Sequence, residues 1–252
     1  MINLLISGAC GKMGNAVARC AGEDSDFRIL CGIDRSDAPA GFPVYRSFSD
    51  VHTKPDVVVD FSNPALLGDI LDYCLKNSVP AVLATTGYTD AQTEKIRTAA
   101  EKIPIFFSFN MSLGISLLCS LAKTAAAVLG DAFDVEIVEK HHNQKLDAPS
   151  GTALMLANAI NSQFGDTKHY EYDRHSRRCK REKSEIGIHS VRGGTIVGEH
   201  DIIFAGRDEV ITLSHSAGSK EMFAAGALKA ARFIAGQKPG LYNMNDISSE
   251  LK

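Results

Sequence analysis

The opening of the chain constrains its fold more than any other stretch. Ile2 to Ser7 is an apolar run of strand character, and Gly8-Ala9-Cys10-Gly11-Lys12-Met13-Gly14 follows it before a helical pattern over residues 15–21. Strand, glycine turn and helix in immediate succession predict the first part of a strand–helix–strand unit. In such a unit the glycines allow a tight turn, close approach of backbone to a pyrophosphate, and close packing of the helix, with phosphate resting on the helix N-terminus. Gly8, Ala9, Cys10, Gly11, Lys12 and Met13 are therefore candidates to cradle the diphosphate of a dinucleotide.

The next segments carry the pattern on. A second strand over residues 27–33 ends at Asp34-Arg35, about twenty residues past the last glycine, where a dinucleotide fold places its ribose-binding carboxylate. Asp34 can accept hydrogen bonds from ribose hydroxyls, whereas Arg35 can pair with a 2′-phosphate, so the two residues favour NADH and NADPH respectively. Residues 36–54, with Pro39, Gly41 and Pro43, read as a loop-rich connection. Further strands are predicted at 56–61, 79–84 and 103–108, with helices after Asn63-Pro64 and over 90–102. Alternation of this kind implies a parallel sheet, with ligands bound where the carboxyl ends of its strands emerge. Phe61-Ser62, Ala84, Thr85 and Thr86, and Ser108, Phe109, Asn110 and Met111 all fall at such ends, and with the glycine turn and Asp34 they are expected to line one crevice.

From residue 113 the rhythm changes. A long apolar helix to about 129, interrupted by Lys123, reads as a buried helix rather than a membrane span. A strand at 133–138 then delivers its end to Glu139-Lys140-His141-His142-Asn143-Gln144-Lys145-Leu146-Asp147-Ala148-Pro149-Ser150-Gly151-Thr152-Ala153. Ser150 is placed to cap a helix beginning at Gly151, so this turn offers backbone N–H groups and the positive end of a helix dipole to an anion such as a carboxylate. Lys145 adds a full charge. His141 or His142 can hold or release a proton near neutral pH and is a candidate general acid. No metal is expected there, because adjacent strand residues point to opposite faces and no paired cysteine spacing accompanies the histidines.

Residues 166–183 are rich in basic side chains (Arg174, Arg177, Arg178, Lys180, Arg181, Lys183) and read as a solvated or substrate-facing loop. Three strand-like runs follow at 185–191, 195–204 and 209–216, then a closing helix at 219–235, with Pro239-Gly240-Leu241-Tyr242 ending the fold. The expected architecture is α/β. A Rossmann-type parallel sheet over residues 1–110, completed by 219–252, forms the dinucleotide-binding domain. Residues 111–218 form a second α+β domain with a mixed or antiparallel sheet, for substrate binding and oligomerisation.

With 252 residues, 44% of them hydrophobic, the chain can bury a core of its own, and a net charge of −3 supplies no field that would draw it to nucleic acid or an anionic membrane. Cys10, Cys20, Cys31, Cys74, Cys119 and Cys179 are scattered, with no Cys-x-x-Cys pair, and read as reduced thiols of a cytoplasmic protein. Met1 leads straight into a strand, so a secretory signal is not expected.

Residues 139–153 match every fixed position of the pattern Glu-x-His-His-x-x-Lys-x-Asp-x-Pro-Ser-Gly-Thr-Ala. With the glycine turn and with the segments 191–200, 223–228 and 240–242, this resembles the dihydrodipicolinate reductases over nearly the whole chain. The resemblance implies reduction of 4-hydroxy-tetrahydrodipicolinate, a cyclic imine dicarboxylate, by NADH or NADPH on the diaminopimelate route to lysine, by a homotetramer. It implies that His141 donates the proton, that Lys145 assists, and that His142, Lys145, Gly151 and Thr152 bind the substrate carboxylates. Cofactor contacts are implied for Gly8 to Met13, Asp34, Arg35, Ala84 to Thr86 and Ser108 to Met111. The chain departs from the usual pattern at Ala84, where glycine is common, at Phe109, where proline is common, and at Lys220, where arginine is common. Two other classes fit the glycine turn: a different nicotinamide-dependent oxidoreductase of an imino or oxo acid, and a nucleotide sensor, which has no need of His141 and Lys145.

Overall fold

The computed structural model describes residues 1–36 and 40–250. In chain order the elements are β1 (Ile2–Ser7), α1 (Lys12–Gly22), β2 (Phe27–Ile33), β3 (Val44–Tyr45), β4 (Val57–Asp60), α2 (Leu67–Asn77), β5 (Ala81–Leu83), α3 (Asp90–Ala100) and β6 (Pro104–Phe107). Then come α4 (Leu113–Leu129), β7 (Asp134–His141), α5 (Gly151–Asn161), β8 (His169–Glu171), β9 (Glu185–Arg192), β10 (Gly198–Ala205), β11 (Val210–Ala217), α6 (Glu221–Ile234), β12 (Gly240–Tyr242) and α7 (Met244–Glu250). The chain divides into two compact units, one made of Met1–Leu113 with Lys220–Lys252 and the other of Gly114–Ser219.

The first unit holds a seven-stranded sheet in the order β12-β6-β5-β4-β1-β2-β3. Every pairing in it is parallel. Because side chains alternate along a strand, the sheet feeds two cores. Leu4, Ile6, Val57, Val59, Val82 and Phe106 face one way and pack with Val17 of α1 and Ala227, Ala231 and Ile234 of α6. Leu5, Val58, Ala81, Leu83 and Ile105 face the other way and pack with Ile70 and Cys74 of α2 and Ile96 and Ala99 of α3. Strand order reverses between β1 and β4, the switch point at which such sheets bind nucleotides beyond the strands' carboxyl ends.

Several expectations for this unit are corrected. The loop expected at 36–54 contains the short edge strand β3, paired with β2 through Gly32–Val44 and Ile33–Tyr45, and a 3₁₀ turn at Phe48–Asp50. Pro39, read as part of that loop, lies outside the described residues. Helix α1 begins at Lys12 rather than at residue 15, with Gly11 in extended conformation as its N-cap. Residues 239–242 do not end the fold: Gly240–Tyr242 extends the sheet beside β6, and α7 follows.

The second unit has a mixed sheet in the order β11-β10-β7-β9-β8. Pairs β10–β11 and β10–β7 are antiparallel, and β7–β9 and β8–β9 are parallel. Residues 113–132 are long and apolar enough to cross a membrane by length and composition alone. Their Ile115, Leu118, Ala122 and Ala126 share a core with Ile137, Leu156, Ile188 and Ile202.

The basic stretch at 166–183 is not simply solvated. It contains β8, and Arg181 places all its donors on this unit, bonding Glu136 at 2.9 Å, Asp134 at 2.8 Å and the carbonyls of Val135, Glu182 and Glu185. Arg174 pairs with Glu136 at 3.0 Å and with Glu185 at 2.8 Å. Arg174 and Arg181 thus neutralise acidic residues of β7 and β9 and help hold the sheet.

Candidate active site

In the first unit the glycine turn has a conformation and a clearance that other residues would break. Gly8 has φ +79°, and a Cβ on it would lie 2.7 Å from the Phe61 carbonyl. A Cβ on Gly14 would lie 2.1 Å from the Gly8 carbonyl, so only glycine lets α1 start this close to the turn. The turn spends its early amides internally. Gly8 and Ala9 donate to the Ile33 carbonyl at 2.8 and 3.2 Å, Gly11 donates to Gly8 at 3.1 Å, and Cys10 donates to the Asp34 carboxylate at 2.8 Å. The amides of Lys12 and Met13 lie in the first turn of α1, where a helix has no carbonyl of its own to offer them, so an anion here meets the helix start more than the turn. Ala9 is fully buried, so its side chain serves the core.

A cavity of about 390 Å³ lies at the switch point, lined by Gly8, Gly11, Asp34, Arg35, Phe61, Ser62 and Asn63 among others. Asp34 holds this rim together: besides Cys10 it accepts from the Ser36 amide at 2.9 Å. A second cavity of about 530 Å³ is lined by Met13, Ala84, Thr85, Thr86, Phe109 and Met111, together with Phe61, Lys220 and Phe223. Ser108 and Asn110 do not line it. Ser108 Oγ donates to the Asn110 carbonyl at 2.8 Å, and Asn110 Oδ1 accepts from the Ser112 amide at 2.9 Å, so they shape the turn that carries Phe109 and Met111. Phe109 is exposed and stacks edge-on against Phe107, with ring centroids 4.8 Å apart. Cys10 and Lys12 also lie outside both cavity linings. Beneath Phe61 and Ser62, Asp60 is fully buried and accepts from the Ser62 amide at 3.1 Å and the Tyr88 hydroxyl at 3.2 Å. Burial raises its carboxyl above the usual range, opposed by the bonds from Ser62.

In the second unit β7 alternates buried and half-buried positions, and the buried set is Val135, Ile137, Glu139 and His141. Strand periodicity thus puts an acid and a base two residues apart on the core face. His141 Nδ1 lies 2.6 Å from Glu139 Oε2. Arg192, opposite His141 on β9, grips Glu139 with two bonds of 2.7 Å, and the Ser150 amide donates to Glu139 Oε1 at 3.1 Å. Burial pushes the Glu139 carboxyl up, and the bonds from Arg192, Ser190, His141 and Ser150 more than offset it, bringing it down to about 2. An ionised carboxylate only accepts, so His141 carries its hydrogen on Nδ1 when neutral.

Ser150 caps α5, its Oγ accepting from Ala153 at 3.1 Å, and the same oxygen lies 3.1 Å from His200 Nε2. Gly151 and Thr152 therefore sit at the positive end of the α5 dipole. Burial, and then the neighbouring His141, push His200 down to about 4, so it stays neutral beside His141, with ring centroids 5.3 Å apart. Lys145 is paired with Asp147 at 2.8 Å, and this cation holds the Asp147 carboxyl below its usual range. His142 is half-buried, and its carbonyl accepts from the Lys145 amide at 3.2 Å.

Reading the sequence missed Glu139, Arg192 and His200 as parts of this arrangement. The two-residue spacing of Glu139 and His141 on an alternating strand was the available signal. Arg192 and His200 lie in the segment 191–200 that shares in the resemblance, but nothing local links them to His141, because they arrive from other strands.

A family description for the N-terminus of dihydrodipicolinate reductase matches residues 2–111, and one for its C-terminus matches residues 114–247. A 4-hydroxy-tetrahydrodipicolinate reductase of Caldanaerobacter subterraneus subsp. tengcongensis is 53% identical over 247 residues, covering 98% of each chain. Another from Clostridium tetani is 45% identical, covering 97% of this chain and 96% of its own. The solved structure of a dipicolinate-bound dihydrodipicolinate reductase from a Paenisporosarcina strain superposes with a TM-score of 0.81 at 29% identity, covering 97% of this chain and 99% of that one. A myo-inositol dehydrogenase from Corynebacterium glutamicum, 14% identical with a TM-score of 0.62, shares the fold alone. Matches to both halves and to full-length relatives agree with the glycine turn and the His141 arrangement, and the chain belongs to the dihydrodipicolinate reductase family.

Proposed function

We propose that the protein reduces 4-hydroxy-tetrahydrodipicolinate to tetrahydrodipicolinate with NADH or NADPH, on the diaminopimelate route to lysine. The observation that carries this reading is the buried His141–Glu139–Arg192 arrangement joined through Ser150 to the start of α5. A nucleotide sensor has no use for it, and the 53% identical relative of matching length carries the same activity in its name.

Residues 1–110 with 219–252 serve as the dinucleotide-binding domain, and residues 111–218 bind substrate and assemble the oligomer. The residues present fit a dinucleotide: the Gly8 and Gly14 clearances bring backbone close, α1 offers its first amides, and Asp34 and Arg35 line the rim of the switch-point cavity. Gly8 to Met13, Asp34, Arg35, Ala84 to Thr86 and Ser108 to Met111 form or shape this binding region. When bound, reduced nicotinamide supplies hydride to the conjugated ring of the substrate. The protein's own part is to orient the ring and to supply the proton. His142, Lys145, Gly151 and Thr152 hold the carboxylates, with Lys145 also assisting proton transfer, and His141 donates from Nε2 to take up the electron density released in the ring.

Purified protein supplied with the product of the preceding synthase should consume reduced nicotinamide, followed by its absorbance. No consumption with either nucleotide would overturn the assignment. Arg35→Ala should weaken NADPH roughly tenfold or more while sparing NADH, since only NADPH has a 2′-phosphate for a guanidinium, and a charged hydrogen bond is worth about 1.5–3 kcal/mol. Equal losses would place Arg35 away from that phosphate. Pyridine-2,6-dicarboxylate, the ligand of the Paenisporosarcina relative, should compete with substrate. Its affinity should fall in Thr152→Val and in Lys145→Ala, as read by calorimetry.

We place the protein in the cytoplasm, supported by six cysteines that form no disulfide, and expect a homotetramer, supported by the outer strand β11, which exposes Val210 and Ile211. Light scattering tests the subunit number.

A further inference from the structure

We propose that Glu139 is a positioning residue for the proton transfer: clamped by Arg192 and the Ser150 amide, it holds the His141 ring so that Nε2 is the atom that delivers the proton. The inference rests on the reading of His141 as the donor. It is carried by geometry. Glu139 is fully buried and its carboxylate is tied by Arg192 Nη1 and Nη2 and by the Ser150 amide, so it cannot swing away. Its Oε2 meets His141 Nδ1 at 2.6 Å, which fixes ring rotation and leaves Nε2 as the exchanging nitrogen.

Gly198 completes the device. A Cβ there would lie 3.1 Å from His141 Nε2, so the absence of a side chain keeps this nitrogen clear. The charged and titratable groups around His141 come from every neighbouring element. Glu139 shares its strand, Arg192 lies on β9, His200 on β10, and His142 and the Lys145–Asp147 pair on the following loop. His215 on β11 stands opposite His200 in register. Of these, only Glu139 is an acid bonded directly to the ring. In one turnover the His141 imidazolium loses its Nε2 proton to substrate and becomes the neutral Nδ1–H form. Glu139 stays ionised throughout, and solvent returns the proton.

The decisive measurement is nitrogen NMR of the histidine-labelled protein, which reads tautomers without any turnover. In the wild type the neutral His141 ring should carry its hydrogen on Nδ1. A neutral ring protonated on Nε2 would overturn the proposal, whether or not any variant folds. In Glu139→Gln the tautomer should shift towards Nε2–H. Its kcat should fall by roughly 100-fold, the lower range for a general acid, with the KM for imine and the Kd for reduced nicotinamide within about threefold of wild type. Unchanged kcat, or a lower kcat with the tautomer unmoved, would leave Glu139 a structural residue only. Gly198→Ala should lower kcat while keeping the Nδ1–H tautomer. His141→Gln separates the two readings. Near-normal turnover in it removes His141 as donor, whereas its inactivity together with wild-type behaviour in Glu139→Gln removes only the role of Glu139.

Discussion

Glu139 and His200 are both buried, and each makes the folded state sensitive to acid in its own window. The Glu139 carboxyl is brought from 4.5 to about 2, so its contribution is present above its ordinary value and is lost as pH falls towards 2. At about 1.36 kcal/mol per unit this amounts to on the order of 3 kcal/mol. His200 falls from 6.5 to about 4, so the folded protein keeps it neutral while the unfolded chain takes up a proton below 6.5. Stability is therefore full above pH 6.5 and declines down to about 4 by a similar order. Urea unfolding across pH should show this first decline, and His200→Gln should flatten it while keeping the lower window. An unchanged slope in that variant would assign the decline to other groups. Lys145 poses a separate question, since it rests on Asp147 at 2.8 Å and must exchange that partner for a substrate carboxylate. Lys145→Ala should lower kcat by roughly two to four orders of magnitude, as expected for loss of a proton-transfer and charge-stabilising group, with cofactor affinity unchanged. Near-normal turnover would remove Lys145 from the site.

At the scale of elements, the binding proposed for each unit falls at the start of a helix, and each start is secured differently. Helix α5 begins with Ser150, whose side chain takes the Ala153 amide and whose own amide is committed to Glu139. The cap thereby ties a helix terminus to the acid that holds His141. Helix α1 has no capping side chain and depends on clearance at Gly14, where a Cβ would lie 2.1 Å from the Gly8 carbonyl oxygen and 2.8 Å from Ala9 Cα. Both neighbours are backbone, so no rotamer change can relieve a methyl placed there. Gly14→Ala should cost about 1–3 kcal/mol, the range for overpacking, and should weaken reduced-nucleotide binding at least tenfold as α1 moves off the turn. Thermal unfolding and fluorescence titration of NADH would check both. Retained affinity would show that the turn tolerates a shifted helix.

The whole molecule folds its first unit from two distant pieces of chain. Helix α6 supplies Ala224, Ala227, Leu228, Ala230, Ala231 and Ile234 to one core, and a Cβ on its Gly226 would lie 1.7 Å from the Met111 carbonyl, so the helix is seated against the backbone. Strand β12 pairs with β6 through Gly240–Pro104, Leu241–Ile105 and Tyr242–Phe106. A fragment of residues 1–113 would expose that core face and leave β6 at an open edge. It should be unfolded or aggregated by circular dichroism. The same fragment joined through a flexible Gly/Ser linker to residues 220–252 should unfold cooperatively and bind reduced nucleotide. A cooperative transition in residues 1–113 alone would show that α6 is dispensable.

The sequence by itself determined the features whose cause is local or periodic. Glycines at 8, 11 and 14 after an apolar strand required a tight turn into a helix, and apolar strands alternating with helices required a parallel sheet covered on both faces. Ser150 ahead of Gly151-Thr152 set a helix start. The residues from Glu139 to Ala153 identified the family, and alternation along β7 already implied that Glu139 and His141 share a face. Only the tertiary structure decided what meets that face. Arg192 reaches Glu139 across 53 positions of sequence and His200 reaches Ser150 across 50, because β9 and β10 flank β7, and strand order follows from packing of whole sheets rather than from any local preference. Strands β3, β8 and β12, two or three residues long, escaped notice because their ladders are completed by distant partners and so few residues display no period. The amides of Gly8 to Gly11, in turn, were expected to face phosphate. The fold directs them to Ile33, Asp34 and Gly8 itself, because the turn and the end of β2 bring those acceptors within reach of its donors.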